Sequence, residues 1–219
     1  MIPLENRVPD ALFVAGVVVA RGVKPGPAPA ELARLIDELV LRRAAEEFPA
    51  PMLKDSVRRL LKRGGFKPSG RNKPASEYLA QAARENRFPR INNLVDVNNL
   101  LSLETGLPIS LLDLAAFGDG AALRYGKAEE KYVFNSAGQE IDLEGLLCVC
   151  SGADLPLGNA VKDSMTGKLK DGTSAVLGVI YAAVDEEAGR AMAAHVERFA
   201  RLLKEFGGAS ETETAVLKV

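Results

Sequence analysis

The sequence is poor in the side chains that build disulfides and metal sites. Its 219 residues include two cysteines, one histidine and no tryptophan. Cys148 and Cys150 are two positions apart, a spacing that rarely satisfies disulfide geometry. Because zinc is held mainly by Cys and His, a single histidine argues against a zinc site. We therefore expect free thiols, no metal or other cofactor, and a reducing compartment such as the cytoplasm.

Long apolar runs and a strong net charge are also lacking. The apolar run over residues 12–20 is too short to span a bilayer, and the first ten residues lack the order of a signal peptide. The formal net charge is −1, and 47% of the residues are hydrophobic. This is an ordinary globular composition, and the charge of the whole chain favours neither a membrane nor a nucleic acid as a partner.

The charge is unevenly distributed along the chain. Residues 54–90 contain eleven Lys and Arg against three Asp and Glu, a net charge of +8, so the remainder carries −9. Such a segment is either a solvated helix face or a contact for phosphates. The candidate RNA contacts are Arg58, Arg59, Lys67, Arg71 and Lys73.

The hydrophobic pattern places most helices before most strands. It predicts a buried strand over residues 11–23, helices over 30–48, 52–63 and 77–86, strands over 121–125, 130–134, 145–150 and 175–183, and a last helix with an apolar stripe from Met192 to Phe206. In this interpretation Met52 is buried, Ser76 caps the third helix, and His195 packs in the last helix in preference to acting as a catalytic base. The order indicates an α+β fold in one domain over residues 1–208. Residues 209–219 are expected to be a mobile tail, with an edge strand at Val216 and Leu217 as the alternative.

Residues 90–113 form the most distinctive stretch. Leu94, Val95 and Val97 surround Asp96, which predicts a buried carboxylate that accepts backbone N–H bonds. Asn98 and Asn99 follow. These amides either cap the following helix or bind a ligand, because asparagine offers both donors and acceptors.

The segment VDVNNLLSLETGLPISLLD, residues 95–113, resembles the pattern VDxxNxxxLExGxPxxxxD of the editing domain in the phenylalanyl-tRNA synthetase beta chain. It is more similar still to free-standing relatives of that domain, which continue with an arginine-bearing strand, here residues 121–125. Upstream, residues 66–68, 73–77 and 88–92 also match, so the resemblance covers about residues 66–179. It implies the α+β, three-layer fold of that domain, with helices mainly in the N-terminal half, a sheet or sandwich in the C-terminal half, and a C-terminal helix.

The resemblance also implies a partner. A member of that family would bind tRNA or an aminoacylated RNA. Its implied reaction is hydrolysis of a mischarged aminoacyl-tRNA in trans, without aminoacylation. The alternatives are a non-catalytic module that binds RNA or an amino-acid-like small molecule, and a structural or partner-binding protein. Whether the chain is an enzyme at all stays open at this point.

The matched positions supply the candidate site. They imply a reaction centre at Asn98, Asn99, Asp163 and Ser164, with substrate-binding positions at Glu104, Gly106, Pro108, Ser110 and Gly158. For Asp163 the alternative is that it caps a turn. Two positions depart from the synthetase pattern: Ser110 stands at a histidine, and Met165 aligns with a glutamate. We expect the loop over residues 158–164 to face Asn98 and Asn99 across one cleft.

Overall fold

The computed structural model describes residues 2–184 and 187–218, without the side chains of residues 71 and 188. The strands are β1 (Leu4–Asn6), β2 (Phe13–Arg21), β3 (Ile109–Asp113), β4 (Ala121–Tyr125), β5 (Lys131–Val133), β6 (Glu140–Asp142), β7 (Leu147–Ser151), β8 (Pro156–Asn159), β9 (Ala175–Ala183) and β10 (Glu211–Lys218). The helices are α1 (Ala30–Ala44), α2 (Pro51–Lys62), α3 (Ala75–Arg84), α4 (Asn93–Thr105), α5 (Glu187–Arg190) and α6 (Met192–Gly207).

An antiparallel sheet with the strand order β10-β2-β9-β3 lies at the centre of the fold. β2 and β9 pair along their full length, with Phe13 opposite Ala183 and Arg21 opposite Ala175. Since both faces of these strands are covered, their sequences are nearly continuous apolar runs. This is why the sequence alone predicts them.

Alternate residues of β2 pack into two different cores. Val14 and Val18 belong to a core shared with α1, α4 and α6, whereas Phe13 and Val17 belong to a core shared with a second sheet. That second sheet has the order β1-β4-β7-β8. Helices, central sheet and second sheet therefore stack in that order, and the predicted α+β fold class is confirmed.

Helix α4 occupies the middle of the distinctive stretch. The side chain of Asn92 accepts a hydrogen bond from Val95 N at 2.9 Å and caps its amino end, while Gly106 ends it with a positive φ of 75°. Asn98 and Asn99 lie inside the helix. The alternative in which they cap a helix is therefore wrong, because α4 begins five residues before Asn98.

Asp96 is buried at the start of α4, as predicted. It is 2% exposed, and its Oδ1 accepts a hydrogen bond from Ile91 N at 2.9 Å. Burial raises the pKa of this carboxyl, and the Ile91 amide acts in the opposite direction. The carboxylate ties the chain entering α4 to the helix itself.

Replacing Asp96 by Ala should lower the free energy of unfolding by about 1–3 kcal/mol, because the Ile91 amide loses its acceptor. Chemical denaturation measures this change, and Asp171→Ala, at an exposed position in a loop, is the control. A variant that unfolds like wild type but no longer binds ligand would show that Asp96 has a functional role instead.

Three predictions about the elements are wrong. Residues 211–218 are not a mobile tail, because β10 pairs with β2 from Glu211 opposite Arg21 to Lys218 opposite Val14, and the alternative of an edge strand at Val216 and Leu217 is confirmed. Met52 is 71% exposed, and its neighbour Leu53 packs against the helical core in its place. Ser76 is not the cap of α3, because the helix starts earlier and Pro74 holds the capping position.

The two cysteines lie in β7 with free thiols, and both are buried. Burial raises the pKa of the Cys148 thiol well above its usual range and that of Cys150 to about 12. Neither thiol is therefore ionised near neutral pH. Among residues 2–184 and 187–218, no helix has the length and apolarity needed to cross a bilayer.

Candidate functional site

A cleft of about 960 Å³ opens between α3, α4, β3, the β5–β6 hairpin and the loop that follows β8. Apolar side chains of α3, α4 and β3 form part of its wall: Leu79, Val95, Ile109 and Leu111. Its polar lining includes Asn98, Asn99, Asn135, Gln139, Asn159 and Asp163. The structure thus brings α4 and the loop carrying Asp163 together around one cavity, as the sequence led us to expect.

Asn98 and Asn99 present their amides from α4. Asn98 Nδ2 donates to Asn99 Oδ1 at 3.5 Å, and Asn98 Oδ1 has no hydrogen-bond partner among the described residues. The helix is held in place by Asn93, whose Nδ2 donates to Phe206 O at 2.8 Å and whose Oδ1 accepts from Gly26 N at 2.9 Å. A buried acceptor without a partner costs free energy, which a ligand donor would recover.

Asp163 provides the titratable group of the cleft. Its Oδ1 accepts hydrogen bonds from Ser110 Oγ at 2.7 Å and from Asn159 N at 3.2 Å. The residue keeps partial exposure through the cleft, but protein surrounds its carboxyl. This burial raises the pKa of Asp163 to about 7, against the opposing effect of the two hydrogen bonds. Near neutral pH both protonation states are populated, as general acid–base catalysis requires.

Ser110 and Tyr181 form a hydrogen-bonded chain that ends on this carboxyl. Ser110 is fully buried, and its Oγ lies 3.1 Å from Tyr181 Oη. Burial keeps the pKa of Tyr181 well above its usual range, so the phenol stays protonated. Asn159 O also lies 3.1 Å from Ser110 Oγ, but a serine hydroxyl has one proton and Asp163 Oδ1 is the nearest acceptor at 2.7 Å. Ser110 therefore donates to Asp163, and Tyr181 donates to Ser110. Ser110, predicted as a substrate-binding position, is buried outside the cleft lining and holds the Asp163 side chain, which lines the cleft.

Gly158 makes room for the Asp163 carboxyl. A Cβ at position 158 would lie 2.6 Å from Asp163 Oδ1 and 2.8 Å from Leu112 Cδ1. Real Cβ atoms do not approach other atoms this closely, so any larger residue would displace one of these groups. Gly158 therefore shapes the site without contacting the cleft.

Four other candidate residues have structural positions outside the cleft lining. Ser164 is buried, and its Oγ donates to Leu157 O at 2.7 Å and accepts from Gly167 N at 2.9 Å. Glu104 accepts two hydrogen bonds from Arg198, at 2.9 and 3.2 Å. Gly106 ends α4, and Pro108 O accepts from Tyr181 N at 3.1 Å.

The predicted RNA contacts are only partly brought to the cleft. Arg58 is engaged by the buried Glu77 through two hydrogen bonds of 2.6 and 2.7 Å, so it does not offer a free charge. Lys73 lines the cleft, whereas Arg59 and Lys67 are exposed outside it. The side chain of Arg71 lies outside the described part of the chain.

The cations that surround the cleft come from two separate segments. They are Lys73, Arg87, Lys162 and Lys168, and Asp163 is the one acidic side chain in the described lining. Lys162 and Lys168 lie more than seventy residues after the end of the basic segment at residue 90. A count of charge along the sequence cannot find them, because folding brings them to the cleft.

Sequence reasoning also missed a pair of tyrosines. Tyr132 Oη donates to Lys162 O at 2.6 Å and accepts from Asn159 Nδ2, while Tyr181 supports Ser110. One signal was available, since Tyr181 interrupts the apolar strand β9, and a buried phenol normally has a hydrogen-bond partner. His195, by comparison, is partly buried on α6 and does not line the cleft.

Comparison with known proteins identifies the family of this chain. Residues 58–206 match the family described as the B3/4 domain, which is more than half of the chain. The chain belongs to the B3/4 domain family. The matched region of this B3/4 domain extends at both ends beyond residues 66–179, where the sequence resemblance was noticed.

Two known proteins are similar to this chain in part. The phenylalanine–tRNA ligase beta subunit of Rhodopirellula baltica is 30% identical over 129 residues, which cover 58% of this chain and 18% of that subunit. This B3/4 domain thus spans about a fifth of that relative, and the predicted resemblance to the synthetase beta subunit is confirmed. An N-terminal fragment of the phenylalanyl-tRNA synthetase beta subunit from Pyrococcus horikoshii aligns with 98% of this chain and 50% of its own, at 10% identity and a TM-score of 0.45.

Proposed function

We propose that this B3/4 domain binds the aminoacylated 3′ end of a tRNA in the cleft and hydrolyses the aminoacyl ester. The observation that carries the proposal is the position of Asp163, a carboxyl with a pKa of about 7 that faces the same cleft as Asn98 and Asn99. Ester hydrolysis needs a positioned water, a base and a polarised carbonyl. The cleft supplies groups suited to each task.

In the proposed reaction, ionised Asp163 accepts a proton from water as the water oxygen bonds to the ester carbonyl carbon. The bond from this carbon to the ribose oxygen then breaks, and Asp163 gives its proton to that oxygen, which leaves as the ribose hydroxyl. The products are the free amino acid and uncharged tRNA. The amides of Asn98 and Asn99 orient the aminoacyl group and donate to its carbonyl oxygen, where negative charge develops.

The charge of the cleft supports tRNA as the partner. Four cationic side chains and one carboxyl line it; Glu85 pairs with Arg87, which leaves three lysines against one carboxyl, although the whole chain has a net charge of −1. This local excess favours a ligand that carries phosphates. We expect the protein to act in the cytoplasm, where aminoacylated tRNA is found.

The affinity for tRNA should fall steeply between about 50 and 200 mM salt, because each phosphate contact releases counterions. Replacing Lys73 by Ala should reduce the slope of log affinity against log salt by about 1. Fluorescence anisotropy with labelled tRNA measures both effects.

Lys67→Ala is the matched control, because Lys67 belongs to the same basic segment but is exposed outside the cleft. It should leave the slope unchanged. A flat salt dependence, or an equal effect of the two substitutions, would contradict phosphate binding at the cleft.

A second candidate function is ligand binding in the same cleft without catalysis. Ser110 stands where the synthetase pattern has histidine and Met165 where it has glutamate, and these departures favour a non-catalytic module for RNA or an amino-acid-like molecule. Incubation with a panel of mischarged tRNAs separates the two functions. A hydrolase should release at least one amino acid faster than the uncatalysed rate, whereas a binding module should bind and release none.

A further inference from the structure

The β5–β6 hairpin borders the cleft and contributes three side chains to its lining. Val133 pairs with Glu140 at the end of the two short strands, and Phe134, Asn135 and Gln139 follow at the tip. All three line the cleft. Ile141 of the hairpin is buried in the second core, and Phe134 packs partly against that core. Because Phe134, Asn135 and Gln139 also line the cleft, an aromatic ring and two amides are available to a ligand there.

Three contacts fix the hairpin to the loop that carries Asp163. Met165 N donates to Val133 O at 2.8 Å, and Lys168 Nζ donates to Phe134 O at 2.5 Å. Tyr132 Oη donates to Lys162 O at 2.6 Å, one residue before Asp163. These contacts hold the hairpin that carries Phe134 against the loop that carries Asp163.

Phe134 has the surroundings of a stacking surface for a nucleobase. The ring is partly exposed, and Lys162 Nζ lies over one of its faces, 4.2 Å from the centroid, so a base would stack on the opposite face. An aromatic ring beside a cation is the combination with which proteins bind single-stranded nucleic acid, since the ring stacks on the base and the cation contacts the phosphate.

The two amides beside the ring suggest which base is bound. Asn135 Nδ2 donates to Gln139 Oε1 at 2.8 Å, and Asn135 Oδ1 accepts from Gln139 N at 3.1 Å, so the pair is held in a fixed orientation. Asn and Gln amides match the N6 and N7 edge of adenine, to which they can donate and from which they can accept.

We propose that Phe134, Asn135 and Gln139 form a subsite for the adenine base of the tRNA 3′ terminus. The inference rests on the proposed function and adds to it the nucleotide that the cleft recognises. In an aminoacyl-tRNA the terminal ribose joins this base to the scissile ester. A base subsite must therefore lie beside the group that acts on the ester, and the hairpin is bonded to the Asp163 loop.

The RNA tetranucleotides ACCA and ACCC, labelled at the 5′ end, test the subsite by fluorescence anisotropy with the full chain. Wild type should bind ACCA more tightly than ACCC. Phe134→Leu should weaken ACCA binding by about five- to a hundredfold, the range for loss of one stacked base, and should remove the preference. Phe134→Tyr, which keeps a ring, should retain both affinity and preference.

Val133→Ala is the matched control, because adjacent strand residues point to opposite faces and Val133 does not line the cleft. It should bind both tetranucleotides like wild type. Equal binding of ACCA and ACCC by wild type, no binding of either, or unchanged binding by Phe134→Leu would overturn the subsite.

Deacylation assays keep this test separate from that of the proposed function. If wild type hydrolyses mischarged tRNA and Phe134→Leu does so with unchanged KM, the proposed hydrolase activity is supported and the adenine subsite is contradicted. If ACCA binding depends on Phe134 but no mischarged tRNA is hydrolysed, the adenine subsite is supported and the proposed hydrolase activity is contradicted.

Discussion

Replacing Asp163 by Asn should slow hydrolysis of a mischarged tRNA by about 10²- to 10⁴-fold, the usual contribution of a positioned general base. The substitution is nearly isosteric. Asn keeps an Oδ1 that can accept the hydrogen bonds of Ser110 Oγ and Asn159 N, so the loop should keep its shape. What is lost is the capacity to take a proton from water, and tRNA affinity should therefore remain nearly unchanged.

The pH dependence of the reaction identifies the base. The wild-type rate, after subtraction of uncatalysed hydrolysis, should rise as Asp163 ionises through its pKa of about 7 and level off above it. The sign follows because only the ionised carboxyl accepts a proton. Asp163→Asn should lose this rise altogether.

Asp171→Asn, an equivalent change at an exposed position in a loop, is the control and should leave both rate and pH profile intact. If Asp163→Asn hydrolyses tRNA at the wild-type rate, Asp163 is not the base. A wild-type rate that is level from pH 5 to 8 would lead to the same conclusion.

Replacing Gly158 by Ala should have the second large effect. The new methyl group would meet Asp163 Oδ1 at 2.6 Å and Leu112 Cδ1 at 2.8 Å, so the carboxyl must move or the strand must shift. A displacement of about 1 Å in a catalytic group can cost a hundredfold in rate. Overpacking of this kind also lowers the free energy of unfolding by about 1–3 kcal/mol.

Gly172→Ala provides the matched control, because a Cβ at position 172 would meet no atom within 4 Å. Rate and unfolding should both be unaffected there. Wild-type activity in Gly158→Ala would mean that the position of the Asp163 carboxyl does not limit the reaction.

Local patterns are enough to predict two strands of the central sheet, β2 and β9, and several helices. β2 and β9 are continuous apolar runs, and the predicted bounds of β4 and β9 agree with the structure. The tail was misjudged for a physical reason. β10 has a polar sequence, and only its pairing with β2 makes it a strand.

The site was predictable in part, through Asn98, Asn99 and Asp163 in the resemblance. The hydrogen bonds that position Asp163 could not be predicted, because Ser110 and Tyr181, which form one of them, are 71 residues apart in the sequence. Arg58 was misassigned for a similar reason, since only the fold shows that Glu77 neutralises it. Local sequence does not specify contacts between distant segments.

The measurement that tests the central claim most directly is amide chemical-shift mapping with an amide-linked analogue of aminoacyl-adenosine, which cannot be hydrolysed. If the cleft is the ligand site, saturable shifts should concentrate around Asn98 and Asn99 on α4, around Phe134 in the hairpin, and around Asp163 in its loop. Shifts confined to another surface, or none that saturate, would contradict the assignment of this cleft as the functional site.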